Sequence, residues 1–154
     1  MVIDARQKPI ATGAGQLVLK QKQLNNMDSI LTKVICSDVP RPVGHYEQAI
    51  LHGKTLYVSG QLGVTKDTQN PEKVSVTEQV QFALGNIERI ANTVGVGRAA
   101  VAKTTVYITD IALWEEANKA YAAFFGNHKP ARSILPCNEL HWGAKIEIEA
   151  IVAL

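Results

Sequence analysis

The sequence predicts a single α+β domain in which one mixed β-sheet carries two helices on one face. The chain has 154 residues, 46% of them hydrophobic and 19% charged, which is enough for one domain with a proper core. Its patterns follow the order β-β-β-α-β-α-β-β, with helical crossovers inside and hairpins expected at both ends. If the other face of this sheet carries apolar side chains, a second subunit must cover it.

Three strands are predicted in the first half of the domain. Residues 30–36 are rich in β-branched side chains and run into a loop fixed by Pro40 and Pro42. Residues 46–51 and 55–59 form the next two strands, joined by a turn at residues 52–54. Gly60 is expected to close the third strand.

The first helix is signalled at both ends. Ser75 and Glu78 have the spacing of a capping box, and Gly95 supplies a stop. Between them the apolar residues recur at helical spacing, which predicts a buried stripe of Val80, Leu84, Ile87, Ala91 and Val94.

The second half of the domain is predicted to hold a strand, a helix and two further strands. Residues 101–109 are dense in β-branched side chains, and Asp110 is expected to cap the helix that Gly126 ends. The last two strands are expected at residues 132–136 and 144–153. The buried stripe of the second helix is predicted to be Trp114, Ala117, Tyr121, Phe124 and Phe125.

The final strand alternates between apolar and charged residues. Ile146, Ile148, Ala150 and Val152 point one way, whereas Lys145, Glu147, Glu149 and Ile151 point the other. Taken alone, this charged row is typical of the solvated face of a half-buried sheet. The alternative is a pocket that pairs the carboxylates with Arg132, which follows Pro130.

Residues 1–29 differ in composition from the predicted domain, residues 30–154. They contain glycine and proline, show weak periodicity, and have Asp4 as the only acidic residue up to Asn26. No long apolar segment marks a secretory signal. The segment is interpreted as a flexible or added N-terminal extension, with a docked arm and an organelle-targeting leader as alternatives.

Composition and motifs exclude several classes of function. A net charge of +2, with no basic run, gives no reason to expect nucleic acid as a partner, and no apolar run is long enough to span a membrane. Cys36 and Cys137 lie far apart without metal-ligand spacing, which favours a reducing compartment, cytoplasmic or alternatively mitochondrial. Nucleotide-binding loops, metalloprotease motifs and nucleophile elbows are absent.

Short segments in order along residues 34–154 resemble the RidA/YjgF family of enamine and imine deaminases. No single segment is specific, but the ordered set at compatible spacings is. The segments are VGHYEQA from Val43, LYVSGQ from Leu56, ALGNI from Ala83, VAKTTV from Val101, TD at Thr109, NKAY from Asn118, FF at Phe124, PARS from Pro130 and KIEIEA from Lys145.

The resemblance implies a chorismate-mutase-like fold and a homotrimer with a site in each cleft between subunits. It also implies hydrolysis of reactive enamine or imine acids, such as 2-iminobutanoate and 2-iminopropanoate, to 2-oxo acids and ammonia without a cofactor or a metal. The implied catalytic residues are Arg132 and Glu147. A guanidinium binds a carboxylate through two parallel hydrogen bonds, and a carboxylate can hold and deprotonate a water molecule.

By the same resemblance, four further residues would contact the substrate. Tyr46 would line the pocket, Gly60 would approach the substrate with its backbone, and Asn118 would reach it from a helix. Ile134 stands where close relatives of the archetypal deaminase often have cysteine, so only a backbone contact is retained there. Glu149 is interpreted as a structural or subunit-contact charge.

Several positions depart from the family pattern and predict a reshaped pocket. His45 and Glu47 flank Tyr46 where proline and serine are common, Pro136 interrupts a strand, and Trp142 lies in an unusual turn at residues 141–143. Trp142 is expected to cover a hydrophobic edge rather than to line the pocket. Two alternative functions remain open: a non-catalytic trimer that binds a small carboxylate or regulates a partner, and a biosynthetic relative acting on a different imine.

Overall fold

The computed structural model describes residues 30–154, and the predicted extension at residues 1–29 lies outside the described residues. Six strands and two helices follow in the predicted order, with short 3-10 turns between them. They are β1 (Thr32–Val34), β2 (Ala49–His52), β3 (Thr55–Leu62), α1 (Val76–Asn92), β4 (Val101–Ile108), α2 (Trp114–Phe125), β5 (Ala131–Pro136) and β6 (Ile146–Ala153).

The strands form one mixed sheet in the order β1-β2-β3-β6-β4-β5. The hairpin between β2 and β3 is confirmed, but the hairpin expected at the C-terminal end is wrong. The crossover through α2 returns β5 parallel to β4, and β6 then inserts antiparallel between β3 and β4. β5 is therefore an edge strand, separated from β6 by β4.

Both helices pack on one face of the sheet, as predicted. The capping box of Ser75 and Glu78 is present at the start of α1. Ile146, Ile148 and Val152 of β6 are fully buried beneath the helices, which confirms the predicted inward face of that strand. Trp114 was expected in the buried stripe of α2 but is 39% exposed. A 3-10 turn at Ile111–Leu113, capped by Asp110, takes up the predicted helix start and leaves Trp114 as the first residue of α2.

The third strand does not end at Gly60. It continues to Leu62 through a bulge, because the pairing with β6 shifts register between Val58 and Gln61. A bulge places two residues of one strand opposite one residue of its partner and re-aims the strand that follows. This irregularity lies beside the candidate site.

The face of the sheet that the helices leave uncovered carries apolar side chains. Tyr57 on β3 and Leu135 on β5 are 47% and 46% exposed, and both lie opposite to the core. This face meets the condition under which a second subunit is expected to cover it. Within residues 30–154 no helix is long and apolar enough to cross a membrane.

Candidate active site

A cleft of about 1000 Å³ opens beside β3 and β6, under the loop that precedes β2 and next to the turn that precedes β6. Three of the six predicted site residues border it: Tyr46, Gly60 and Glu147. Its charged residues are Arg41, Lys66, Asp67, His141, Glu147 and Glu149. Its larger apolar residues are Val43, Leu62, Val64, Phe82 and Trp142, together with Pro40 and Pro42.

Glu147 enters this cleft because of the alternation along β6. Its neighbours Ile146 and Ile148 are buried in the core, so Glu147 points from the opposite face of the sheet. There it lies against Gly60: a Cβ atom at position 60 would be 2.9 Å from Cδ of Glu147 and would collide with the carboxylate. Gly60 therefore provides the space in which this carboxylate sits.

The environment of Glu147 favours its protonated form. Burial raises the pKa of this carboxyl above its ordinary value of 4.5, and the nearby charge of Glu149 raises it further. His141 acts in the opposite direction and lowers it. A half-buried carboxyl with a raised pKa holds a proton more readily than an exposed one, which suits a group that must both accept and return protons.

Three polar residues that the sequence analysis did not single out hold Tyr46 and Gly60 in place. Gln48 is buried; its Nε2 donates to the carbonyl oxygens of Cys36, Val39 and Pro40, and its Oε1 accepts from the Cys36 amide. Ser59 donates from its amide to Gln48 O and from Oγ to Glu47 O at 2.6 Å. Gln61 Nε2 donates across the bulge to Ser59 O at 3.0 Å. These bonds fix both the loop that carries Tyr46 and the backbone at Gly60.

The other three predicted site residues form a second group. Arg132 Nη2 donates to Asn118 Oδ1 at 3.0 Å, and its guanidinium lies 4.6 Å from the ring centroid of Tyr121. The Tyr121 hydroxyl is itself fixed by a 2.8 Å hydrogen bond with Thr104. Ile134, two residues along β5, is half-buried against the core on the same face as Arg132. Stacking and one hydrogen bond orient the guanidinium and leave other N–H groups available for a ligand.

The two groups lie on opposite faces of the sheet. Arg132 pairs with Thr104 of β4 and faces the helices, whereas Glu147 pairs with Tyr107 of β4 and faces away from them. β4 lies between β5 and β6, the strands that carry these residues, so β5 and β6 are about 10 Å apart across the sheet. One copy of the chain therefore does not bring Arg132 and Glu147 into one pocket.

Two other charges of the final strand segment now have defined surroundings. Glu149 is exposed and borders the cleft, and its charge acts on the carboxyl of Glu147. Lys145, which was predicted on a solvated face, is partly exposed, and its Nζ donates to the carbonyl oxygens of Glu72 and Val74, at 2.9 and 3.0 Å. It fastens the start of β6 to the 3-10 turn at Pro71–Lys73.

Trp142 borders the cleft, contrary to the expectation that it would only cover a hydrophobic edge. The turn at His141–Gly143 brings both Trp142 and His141 to the cleft that Glu147 also borders. A Trp-Gly pair before an alternating strand indicates a turn, but only the sheet order shows which surface that turn meets. Among residues 30–154, no group of three or more His, Cys, Asp or Glu side chains is arranged to hold a metal ion.

Comparisons with known proteins agree with the fold. The family model described as Endoribonuclease L-PSP matches residues 36–154. A rat protein named 2-iminobutanoate/2-iminopropanoate deaminase is 38% identical over 126 residues, covering 81% of this chain and 92% of that protein. A Sinorhizobium fredii protein named RutC family protein y4sK is 36% identical over 125 residues, covering 81% and 99%. The crystal structure of the E. coli YjgF gene product superposes with a TM-score of 0.72 at 32% identity, covering 79% and 98%.

Proposed function

The chain belongs to the Endoribonuclease L-PSP family, which includes the RidA and YjgF proteins, and on that basis we propose that it hydrolyses 2-imino and enamino acids to 2-oxo acids and ammonia. The substrates would be related to 2-iminobutanoate and 2-iminopropanoate, the compounds after which the rat protein is named. The observation that carries the proposal is the half-buried Glu147 carboxyl, whose pKa is raised and which lies against Gly60 in an open cleft.

Arg132 would bind the substrate carboxylate. Its guanidinium offers a planar pair of N–H donors that matches a carboxylate, and such bonds between charged groups are about twice as strong as neutral ones. Asn118 and Tyr121 hold the guanidinium in one orientation before substrate arrives. Binding then requires little further ordering of this side chain, which preserves affinity.

Glu147 would position and activate the water. In the reaction the water oxygen bonds to the imine carbon, the carbon–nitrogen bond breaks, and the nitrogen leaves as ammonia. Glu147 accepts a proton from the attacking water and gives it to the nitrogen, and it accepts the remaining hydroxyl proton as the carbon–oxygen double bond forms and ammonia leaves; a raised pKa is suitable for both transfers. Because a protonated imine is already electrophilic, placing the reactants accounts for most of the required acceleration.

The separation of the two groups supports a site shared between subunits. Arg132, Asn118 and Ile134 would come from one subunit, and Tyr46, Gly60 and Glu147 from its neighbour. The edge position of β5 and the apolar uncovered face of the sheet both favour such an assembly, which we propose is a homotrimer.

A coupled assay tests the proposed reaction. An amino-acid oxidase or threonine dehydratase generates the imine in place, and semicarbazide competes with the protein for it. We expect the protein to reduce semicarbazone formation and to speed ammonia release. An R132A variant of the same oligomeric state is the control, and equal rates with and without the wild-type protein would contradict the proposal.

A further inference from the structure

Trp142 has a backbone conformation that is unusual for a large side chain. Its φ and ψ are 59° and 24°, in the left-handed region. This region is unfavourable for every residue with a side chain, and a bulky residue is seldom found there. Such strain persists only where the surrounding structure enforces it, and it is concentrated at functional sites.

The contacts around the turn show what enforces this conformation. Ala144 N donates to His141 O at 3.2 Å and closes the turn. Gly143 also has a positive φ, 71°, and is so close to Pro71 that a Cβ at Gly143 would be 3.1 Å from Pro71 Cγ. Lys145, which follows the turn, donates hydrogen bonds to the carbonyl oxygens of Glu72 and Val74 and fixes the C-terminal side of the turn. The turn that carries Trp142 is thus held beside the cleft by its own closing hydrogen bond and by contacts with residues 71–74.

The cleft that Trp142 borders brings large apolar side chains into the same space as the Glu147 carboxyl. In one copy of the chain this is an open cleft of about 1000 Å³, and in the proposed assembly the neighbouring subunit completes it. Phe82 and Val43 border it together with Trp142, so two aromatic rings and a branched side chain line the same space as Glu147. A one-carbon or two-carbon side chain, as in 2-iminopropanoate and 2-iminobutanoate, would contact little of this apolar surface.

We propose that the preferred substrates are 2-imino acids with bulky apolar side chains, aromatic or branched, and that Trp142 is the residue that selects them. This inference rests on the proposed function and names the substrate class of the same site. The side chain of the substrate extends toward Trp142 and Phe82 while the imine carbon lies at Glu147. A difference of one methylene group in an apolar pocket changes kcat/KM by roughly 10- to 200-fold.

A comparison of substrates tests this selectivity. Imines are generated in place from alanine, leucine and phenylalanine, and kcat/KM is measured for each. We expect wild-type protein to favour the leucine- and phenylalanine-derived imines over the alanine-derived imine by about 10-fold or more. In W142G this ratio should fall by about 10-fold, whereas W142F, which keeps an aromatic wall, should retain most of it.

The outcomes separate the two proposals. A wild-type preference for the alanine-derived imine would overturn the inference and leave the proposed reaction standing. Equal losses on all three substrates in W142G would show a merely structural role and would also overturn it. Failure to hydrolyse any of the three imines would contradict the proposed function itself.

A binding experiment provides a readout that does not depend on turnover. The chain has two tryptophans, so W114F leaves Trp142 as the only one. We expect 4-methyl-2-oxopentanoate to change the Trp142 fluorescence at about 10-fold lower concentration than pyruvate. W142F, in which Trp114 reports instead, is the control and should show no change. Equal effects of the two oxo acids on Trp142 would overturn the inference.

Discussion

The carboxylate of Glu147 lies where a side chain at position 60 would be, and Gly60 leaves that space open. The bulge in β3 sets Gly60 against the carboxylate, and Gln48, Ser59 and Gln61 hold that bulge in place. A resemblance to relatives indicates that both residues matter, whereas this contact shows how one depends on the other.

Replacing Gly60 with alanine should displace the carboxylate and reduce activity. The added methyl group cannot coexist with Glu147 in its present position, so we expect kcat to fall by about 100-fold, as for a misplaced catalytic group. G85A is the matched control, because a Cβ at Gly85 in α1 meets only Arg89, at 3.5 Å. That variant should retain activity and gain about 0.5–1 kcal/mol in free energy of unfolding.

Replacing Arg132 with alanine should remove both substrate binding and turnover. Two charge-assisted hydrogen bonds are lost, which at about 1.5–3 kcal/mol each predicts a decrease in kcat/KM of more than about 100-fold. R132K keeps the charge without the planar pair of donors and should recover only part of this loss. Steady-state kinetics with 2-iminobutanoate measures the effect, and wild-type rates in R132A would show that another cation binds the carboxylate.

The Glu147 variant distinguishes an enzyme from a non-catalytic carboxylate binder. E147Q keeps the shape of the side chain but cannot accept a proton, so kcat should fall while affinity for a 2-oxo acid changes little. In wild type, kcat/KM should decline on the acidic side with a pKa above 4.5. E149Q should move that decline to lower pH, because Glu149 raises the pKa of Glu147. Turnover by E147Q equal to wild type would mean that this carboxyl is not catalytic.

The same carboxyl should make the stability of the fold depend on pH. Since the pKa of Glu147 is raised in the folded protein, ionising this group opposes folding, and stability is lost as pH rises through the raised value. E147Q should therefore have a higher Tm than wild type near neutral pH, with a difference that disappears at about pH 4. A Tm difference that does not vary with pH would contradict the raised pKa.

Substitutions at Trp142 should reveal the strain in its turn. Glycine adopts a positive φ freely and alanine does not, so W142G should unfold at higher denaturant concentration than W142A, by roughly 1 kcal/mol. Urea unfolding followed by circular dichroism measures the difference. Equal stability of the two variants would show that position 142 relaxes out of the left-handed region once the indole is removed.

Local patterns were sufficient to predict most of the fold but not the arrangement of the site. The alternation along β6 correctly indicated which residues are buried, and the start of α1 followed from Ser75 and Glu78, although the helix ends at Asn92, before the predicted stop at Gly95. The position of β6 between β3 and β4 depends on long-range pairing, and no local pattern reports it. The division between Arg132 on one face and Glu147 on the other was therefore not predictable from spacing.

The supporting polar residues were missed for a related reason. Gln48 and Gln61 are buried, but a glutamine beside a strand is ordinarily exposed, and only the loop and the bulge supply its partners. The left-handed Trp142 is likewise imposed by contacts with residues 71–74, far away in the sequence.

Mixing two inactive variants tests the central claim, a deaminase site assembled from Arg132 of one subunit and Glu147 of another. R132A and E147Q are denatured together, refolded as mixed oligomers and assayed, with native mass spectrometry to verify mixing. We predict recovery of about a quarter of wild-type activity at equal proportions, because a site with both residues intact forms wherever the right neighbours meet. Mixed oligomers that remain as inactive as either variant alone would contradict a site shared between subunits.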